Sequence, residues 1–195
     1  MIRGYALACI RVNLRHLLIG SEGTLGVITA ATLRLHPLPA EVATAWIAVD
    51  GPGAALDLLA LLRARLGQAV SAFEIMHRQG LGFVAAELPG VALPDPSPPE
   101  WTVLAEVAAA AAAEVGARLE AALGEALEAG LATDALLAQN EAQRMAFWGV
   151  REAIPEANRR IGSVSSHDIA LPPARIPEYL ARADAAIAAL DPGLR

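Results

Sequence analysis

Residues 43–67, ATAWIAVDGPGAALDLLALLRARLG, decide the fold that the sequence predicts. The first nine form an apolar run typical of a strand, and the Asp50-Gly51 pair predicts a turn at its end. The following segment repeats leucine at helical spacing, at Leu58, Leu59, Leu62 and Leu66. Gly67 is suited to the position that ends a helix. The stretch therefore predicts a strand followed by an amphipathic helix.

The rest of the chain repeats this alternation of strand and helix. Further strands are predicted at 71–76, 101–107, 134–139 and 163–172. Helices are predicted around 77–86, from the alanines 108–113 through about Ala129, over NEAQRMAFWGVREAI with a break at Pro155, and at 175–190. Because such helices are long enough to cover a sheet, we expect an α+β domain with helices packed on one sheet face. The proline-rich segment 88–100 is interpreted as an exposed loop.

Composition argues against several classes of protein. The net charge is −6 and no cluster of Lys and Arg could follow a phosphate backbone, which argues against nucleic-acid binding. The lone Cys9 excludes an internal disulfide framework. Charged residues spread through positions 1–19 argue against a signal peptide, and no apolar run of about 18 residues predicts a transmembrane span. The expected location is the cytoplasm.

A glycine-rich motif, IGSEGTLGVITAATLRLHPLP, occupies residues 19–39. Glycines allow backbone N–H groups to approach a flat or phosphorylated ligand, and the serine and threonine hydroxyls can add hydrogen bonds. A purely structural turn is the alternative, since the spacing matches neither G-x-G-x-x-G nor a P-loop. Residues 26–35 predict a strand with alternating apolar positions, and Pro37 and Pro39 then predict a domain boundary.

The segment LRHLLIGSEGTLGVITAATLRLHPLP closely resembles the end of the FAD-binding domain in flavoproteins of the vanillyl-alcohol-oxidase type. SAFEIM, WTVLAEV, FWGVREAIPEA and SHDIALPPARIPEYL then follow in the order found in that family's substrate-covering cap domain. The narrower resemblance is to the FAD-linked oxidases that act on D-2-hydroxy acids, among them D-lactate and D-2-hydroxyglutarate dehydrogenases and the glycolate oxidase flavin subunit. It implies a ferredoxin-like α+β cap domain at 41–195, preceded at 1–40 by a remnant of the FAD-binding domain.

The same resemblance implies FAD as the cofactor and a small 2-hydroxy acid as the substrate. The residues implied to lie against the flavin are Gly20, Ser21, Glu22, Gly23, Thr24, Gly26 and Ile28.

Arg151, in the W-x-x-R-E pattern, is implied to bind the substrate carboxylate, for which a guanidinium fork is well suited. The alternative for Arg151 is an exposed helix charge paired near Glu152. Ser166 is also implied to face the substrate, but it stands where the family has a lysine and cannot neutralise a carboxylate.

The chain is expected to be an interior slice of such a flavoenzyme, because it stops before the family's H-x-G-D-G-N-x-H segment of metal ligands and proton acceptor. None of His16, His36, His77 and His167 substitutes for that segment, so no metal site and no catalytic residue are assigned. We therefore expect hydride transfer from a D-2-hydroxy acid to flavin only if other polypeptides supply the missing segments. A non-catalytic interaction module or gene remnant without flavin is the first alternative. A different ligand on the same scaffold is the second, since the family includes aryl-alcohol and ether-lipid enzymes.

Overall fold

A computed structural model describes residues 14–35, 37–110, 114–162 and 169–191. The chain divides into two compact units, the first ending at Pro37 and the second beginning at Leu38. The first unit contains one short helix, α1 (Leu14–Leu18), among its described residues.

The strand predicted at 26–35 is not formed. Val27, Leu33 and Leu35 are each more than three-quarters exposed, and no described residue of this unit lies in a strand. An extended segment becomes a stable strand only when a neighbour accepts its hydrogen bonds and a layer covers its apolar side. Alternating apolar residues were therefore not sufficient here.

The second unit contains an antiparallel sheet and five helices among the residues described, which confirms the α+β class. The strands are β1 (Glu41–Val49), β2 (Val70–His77), β3 (Trp101–Ala109) and β4 (Asp134–Leu137). The helices are α2 (Pro52–Leu66), α3 (Arg78–Glu87), α4 (Val115–Glu128), α5 (Glu141–Arg160) and α6 (Ile176–Leu190). The chain leaves α2 through Gly67, whose φ of +59° is a conformation that favours glycine.

The strands lie in the order β2-β3-β1-β4. The two central strands, β1 and β3, are opposed along their whole length, from Glu41 opposite Ala109 to Val49 opposite Trp101. The edge strands β2 and β4 are each antiparallel to their central neighbour.

Helices cover both faces of the sheet, so the prediction of one covered face was wrong. Ile47 of β1 packs with α2 and α4 in a first core, whereas the adjacent Trp46 packs with α3 and α5 in a second. The first core includes the fully buried Leu58, Leu62, Leu119, Val103 and Val107. The second contains Trp46, Met76, Leu81, Leu104, Phe147 and Val150. The central strands carry apolar residues at consecutive positions, and both faces therefore require a cover.

Two predicted helix boundaries also differ. Ala108 and Ala109 extend β3 because they pair with β1, and α4 begins only at Val115. Helix α5 continues through Pro155 to Arg160, although a break was predicted there. Proline removes the N–H that would bond the carbonyl four residues earlier, but packing of α5 against α3 and the sheet outweighs this loss.

The last predicted strand, 163–172, lies partly outside the described residues, at 163–168, and residues 169–172 form no strand. The final helix prediction, 175–190, is confirmed by α6. Within the part of the chain that the structure describes, no helix is both long and apolar enough to cross a lipid bilayer.

Replacing Leu62 with alanine tests the first core. Leu62 is fully buried between α2 and the sheet, and its truncation should lower the free energy of unfolding by about 3 kcal/mol through lost burial and a residual cavity. Leu190→Ala is the matched control, because that leucine is 82% exposed and should change stability little. Chemical denaturation gives both values, and equal losses for the two variants would contradict the packing described.

Candidate functional site

Helix α5 carries the polar residues that meet the sheet. Arg144, Trp148 and Arg151 recur at spacings of four and three residues, which places them on one side of the helix. Asn140 caps the start of the helix, since its side-chain oxygen accepts a hydrogen bond of 3.0 Å from the backbone N–H of Gln143. The sheet-facing side of α5 is therefore both apolar, through residues of the second core, and charged.

Glu106 of β3 anchors this helix to the sheet. Its Oε2 atom accepts hydrogen bonds from Trp148 Nε1 at 2.7 Å, Arg144 Nη1 at 3.0 Å and Thr44 Oγ1 at 3.1 Å. The Glu106 side chain is only 16% exposed, so an unpaired carboxylate here would be costly. Three donors, one from β1 and two from α5, meet this need and fix the position of α5 on the sheet.

Arg144 is held from two sides. Its Nε and Nη2 atoms donate to the two oxygens of Glu141, at 2.8 and 2.7 Å, while Nη1 bonds Glu106. The hydrogen bond to Glu141 and then that to Glu106 raise the pKa of Arg144 above its ordinary value. The hydrogen bond from Arg144 likewise lowers the pKa of the Glu141 carboxyl. Glu106 therefore faces a partner that stays cationic at any working pH.

Arg151, two turns beyond Arg144 on α5, forms an ion pair with Glu74 of β2. Its Nε and Nη2 atoms both donate to Glu74 Oε2, at 3.2 and 3.1 Å. The two side chains are 39% and 36% exposed, so the pair lies at the surface of the domain rather than in its core. The partner comes from a strand and not from the neighbourhood of Glu152 on the same helix.

The Arg151–Glu74 pair lines a cavity of about 360 Å³ between α3, α5 and β2. Its walls also include Met76, Ile154 and Pro155, which are apolar. A larger groove of about 800 Å³ lies beside β4, between α4 and α5, but its only charged lining residue among those described is Glu120. Since an anionic ligand requires a cationic group, the smaller cavity is the better candidate for a carboxylate site.

The glycine-rich motif lies in the first unit and forms a turn after α1. The backbone N–H and the hydroxyl of Thr24 both donate to the Ser21 carbonyl, at 2.9 and 2.6 Å. Gly20 and Gly23 each have a φ of +80°, and an added Cβ at either would meet nothing within 4 Å. The backbone conformation, rather than crowding, therefore requires glycine at these positions.

The turn leaves its backbone open. Ser21 is half-buried, whereas Glu22, Thr24, Gly26 and Ile28 are exposed. Glu22 has a φ of +50°, a left-handed conformation unusual for a residue with a side chain. An exposed turn of this kind can be approached closely by a flat ligand.

Several of the residues named in the sequence analysis lie where the structure gives no description. Ser166 lies outside the described residues, as do His36 and His167. Among the residues that are described, no group of three His, Cys, Asp or Glu side chains could hold a metal ion. The sequence analysis did not single out Glu74 and Glu106. A signal was available, since each is the single acidic residue in an otherwise apolar strand segment, SAFEIM or WTVLAEV, and a buried charge needs a partner.

Residues 38–194 match the family described as FAD linked oxidases, C-terminal domain. The chain belongs to this family. The resemblance identified in the sequence is thereby confirmed at the level of the family.

The relatives that the chain matches are longer proteins. It is 35% identical over 160 residues to the mitochondrial D-2-hydroxyglutarate dehydrogenase of Arabidopsis thaliana, covering 82% of this chain and 29% of that protein. The Bos taurus protein of the same name is 37% identical over 160 residues, again covering 82% of this chain and 29% of that protein. The D-2-hydroxyglutarate dehydrogenase of Xanthomonas citri is 32% identical over 173 residues, covering 89% of this chain and 35% of the relative. The chain thus spans about a third of these relatives.

Removing the Glu106 carboxylate tests the anchor of α5. Glu106→Ala should lower the free energy of unfolding by about 2 kcal/mol, because the Trp148 and Arg144 donors lose their partner in a partly buried site. Glu125→Ala is the control, since it removes an exposed ion pair with Arg65 on the domain surface and should have little effect. Chemical denaturation distinguishes the two, and similar stabilities for both variants would argue against the anchor.

Proposed function

We propose that this chain forms the substrate-covering domain of an FAD-dependent dehydrogenase that oxidises a D-2-hydroxy acid. Membership of the FAD-linked oxidase family and the names of the relatives support the reaction class. The order β1-α2-β2-α3-β3-α4-β4, with a strand order of β2-β3-β1-β4, supports a ferredoxin-like domain with α3 inserted between two strands. The prediction of a cap domain at 41–195 and a flavin-domain segment at 1–40 is retained as part of the proposal.

The observation that carries the proposal is the position of the Arg151 guanidinium. It lines an open cavity, and it belongs to a helix that Glu106 anchors to the sheet. Arginine remains charged at all relevant pH values, and its planar donors match the geometry of a carboxylate. Apolar neighbours on the cavity wall displace part of the water around such an interaction and so strengthen it. A 2-hydroxy acid carries the carboxylate that this site can bind.

FAD, when bound, would accept the hydride from C2 of the hydroxy acid. In that reaction Arg151 orients the substrate through its carboxylate, and orientation of this kind lowers the barrier by fixing the reacting carbon in place. Ser166 is proposed to donate a hydrogen bond to the same substrate. No described residue is assigned as the base that takes the hydroxyl proton.

Residues Gly20–Ile28 are proposed to lie against the flavin. The left-handed glycines and the exposed backbone of the turn support this role, because they allow main-chain N–H groups to approach a ring or a pyrophosphate. The residues involved are Gly20, Ser21, Glu22, Gly23, Thr24, Gly26 and Ile28.

A non-catalytic interaction module is the second candidate. It is favoured by the exposure of large apolar side chains in the first unit and at Leu38, the first residue of the second. These are Leu14, Leu17, Ile19, Leu25, Val27, Ile28, Leu33, Leu35 and Leu38. An apolar surface of this kind fits a protein partner as well as a cofactor domain. The two candidates differ in whether FAD binds.

Replacing Arg151 with glutamine tests the substrate site. The variant should raise KM for D-2-hydroxyglutarate or D-lactate about 10- to 100-fold, which corresponds to the loss of one charge-assisted contact. The variant is made in a flavin-loaded protein that also contains the regions that the relatives have outside this chain, and oxidation is followed with an artificial electron acceptor. Arg159→Gln, an exposed arginine of the same helix that pairs with Glu156, is the control and should behave as wild type. Equal KM values in both variants would sink the assignment of Arg151.

Replacing Gly23 with valine tests the flavin contact. A β-branched residue at a φ of +80° costs about 1–2 kcal/mol, so FAD affinity should fall about tenfold or more. Gly130→Val is the control, because Gly130 also has a positive φ, of +68°, but follows α4 in the second unit. Flavin fluorescence gives the affinities. Saturable binding that Gly23→Val does not weaken would contradict the proposed contact, and no binding by the wild-type protein would favour the interaction module.

A further inference from the structure

We infer that Glu74 is a positioning residue for Arg151: it holds one edge of the guanidinium so that the opposite edge can take a carboxylate. This inference rests on the proposed function and adds a residue to it. It assigns a role to a side chain that belongs to another element, β2, and that sequence analysis did not identify.

The guanidinium of Arg151 has two edges that can bind a carboxylate, and Glu74 occupies only one of them. Arg151 Nε and Nη2 both donate to a single oxygen of Glu74, at 3.2 and 3.1 Å. Among the described residues, no group accepts a hydrogen bond from Nη1. A guanidinium has five N–H donors in one plane, and the edge formed by Nη1 and Nη2 can therefore bind a carboxylate through two parallel hydrogen bonds while Glu74 keeps the Nε edge.

The backbone of β2 makes Glu74 a firm support. Glu74 lies opposite Leu104 in the sheet register, and its neighbour Ile75 packs against the first core. On the other side of the pair, Glu106 fixes α5 through two residues of the same helix face. Arg151 is thus held between two anchored elements, and less side-chain freedom is lost when a ligand binds.

Removing Glu74 distinguishes two possible roles for it, since carboxylate binding would change in opposite directions. Glu74 is the only carboxylate among the described residues that line the cavity. If it merely occupied Arg151 in place of the substrate, its removal would strengthen carboxylate binding. If it positions the guanidinium, its removal weakens binding, because a mobile arginine must be ordered by the ligand itself.

Carboxylate binding can be measured without turnover. Glutarate carries carboxylates but no hydroxyl to oxidise, and its dissociation constant for the purified protein, saturated with FAD, is obtained by isothermal titration calorimetry. Glu74→Ala should weaken glutarate binding about tenfold. Glu74→Gln should weaken it less, since the amide oxygen still accepts from Nε and Nη2. Glu128→Ala, an exposed acidic position on α4, is the control for loss of one negative charge.

A double variant distinguishes positioning from a general structural effect. If Glu74 acts through Arg151, the protein with both Arg151→Gln and Glu74→Ala should bind glutarate no more weakly than Arg151→Gln alone. Thermal unfolding of each variant gives a parallel measure of stability, which should stay near that of wild type. Additive losses in the double variant would overturn the inference.

The glutarate-binding results for Glu74→Ala and Arg151→Gln show separately whether the role of Glu74 or the carboxylate site itself is wrong. Unchanged or tighter glutarate binding by Glu74→Ala, with binding weakened by Arg151→Gln, overturns the role of Glu74 and leaves the substrate site intact. Equal binding, or none, by wild type and Arg151→Gln overturns the carboxylate site itself, and the inference with it.

Discussion

The Glu106 carboxylate, accepting hydrogen bonds from Thr44 of β1 and from Arg144 and Trp148 of α5, is the interaction on which the candidate site depends. It lies on a central strand, where the backbone is held by neighbours on both sides. A carboxylate at this largely buried position needs hydrogen-bond donors, and two of its three donors come from the helix that carries Arg151. The position of the site is therefore set by the electrostatic requirement of a residue that does not line the cavity.

The two faces of the sheet have different chemistry. The face covered by α2 and α4 is apolar, and its core is made of aliphatic side chains. The face covered by α3 and α5 combines an aromatic contact, with the rings of Trp46 and Phe147 5.9 Å apart, with two carboxylates of the strands. Apolar packing on the first face supplies stability, and the second face can then hold charged groups near the surface.

Electrostatics also explains how one helix can carry two arginines with different roles. Arg144 is three-quarters buried and donates from each of its three nitrogens to one of two carboxylates. Arg151 lies two turns further along the helix, lines the cavity, is more exposed, and bonds only one oxygen of one carboxylate. The difference between them is one of burial and partners, and it makes only the second suitable for a ligand.

Residue pattern alone determined much of this protein. Leucine periodicity in 53–67 and the apolar runs at 43–51, 71–76 and 101–107 located α2 and three strands, because these features depend on local spacing. The glycine motif and the later segments identified the family, since such motifs reflect ancestry rather than packing. Arg151 was assigned a substrate role for the same reason.

Only the tertiary structure decided which faces are covered and which charges meet. The alanines at 108–109 have high helix propensity, yet they join β3 because β1 offers them hydrogen bonds. Alternation at 26–35 predicted a strand that is not formed among the residues described, and Pro155 did not end α5. The pairs Glu74–Arg151 and Glu106–Arg144 join residues 77 and 38 positions apart. Such pairs arise from the crossing of α5 over the sheet, which no local spacing encodes.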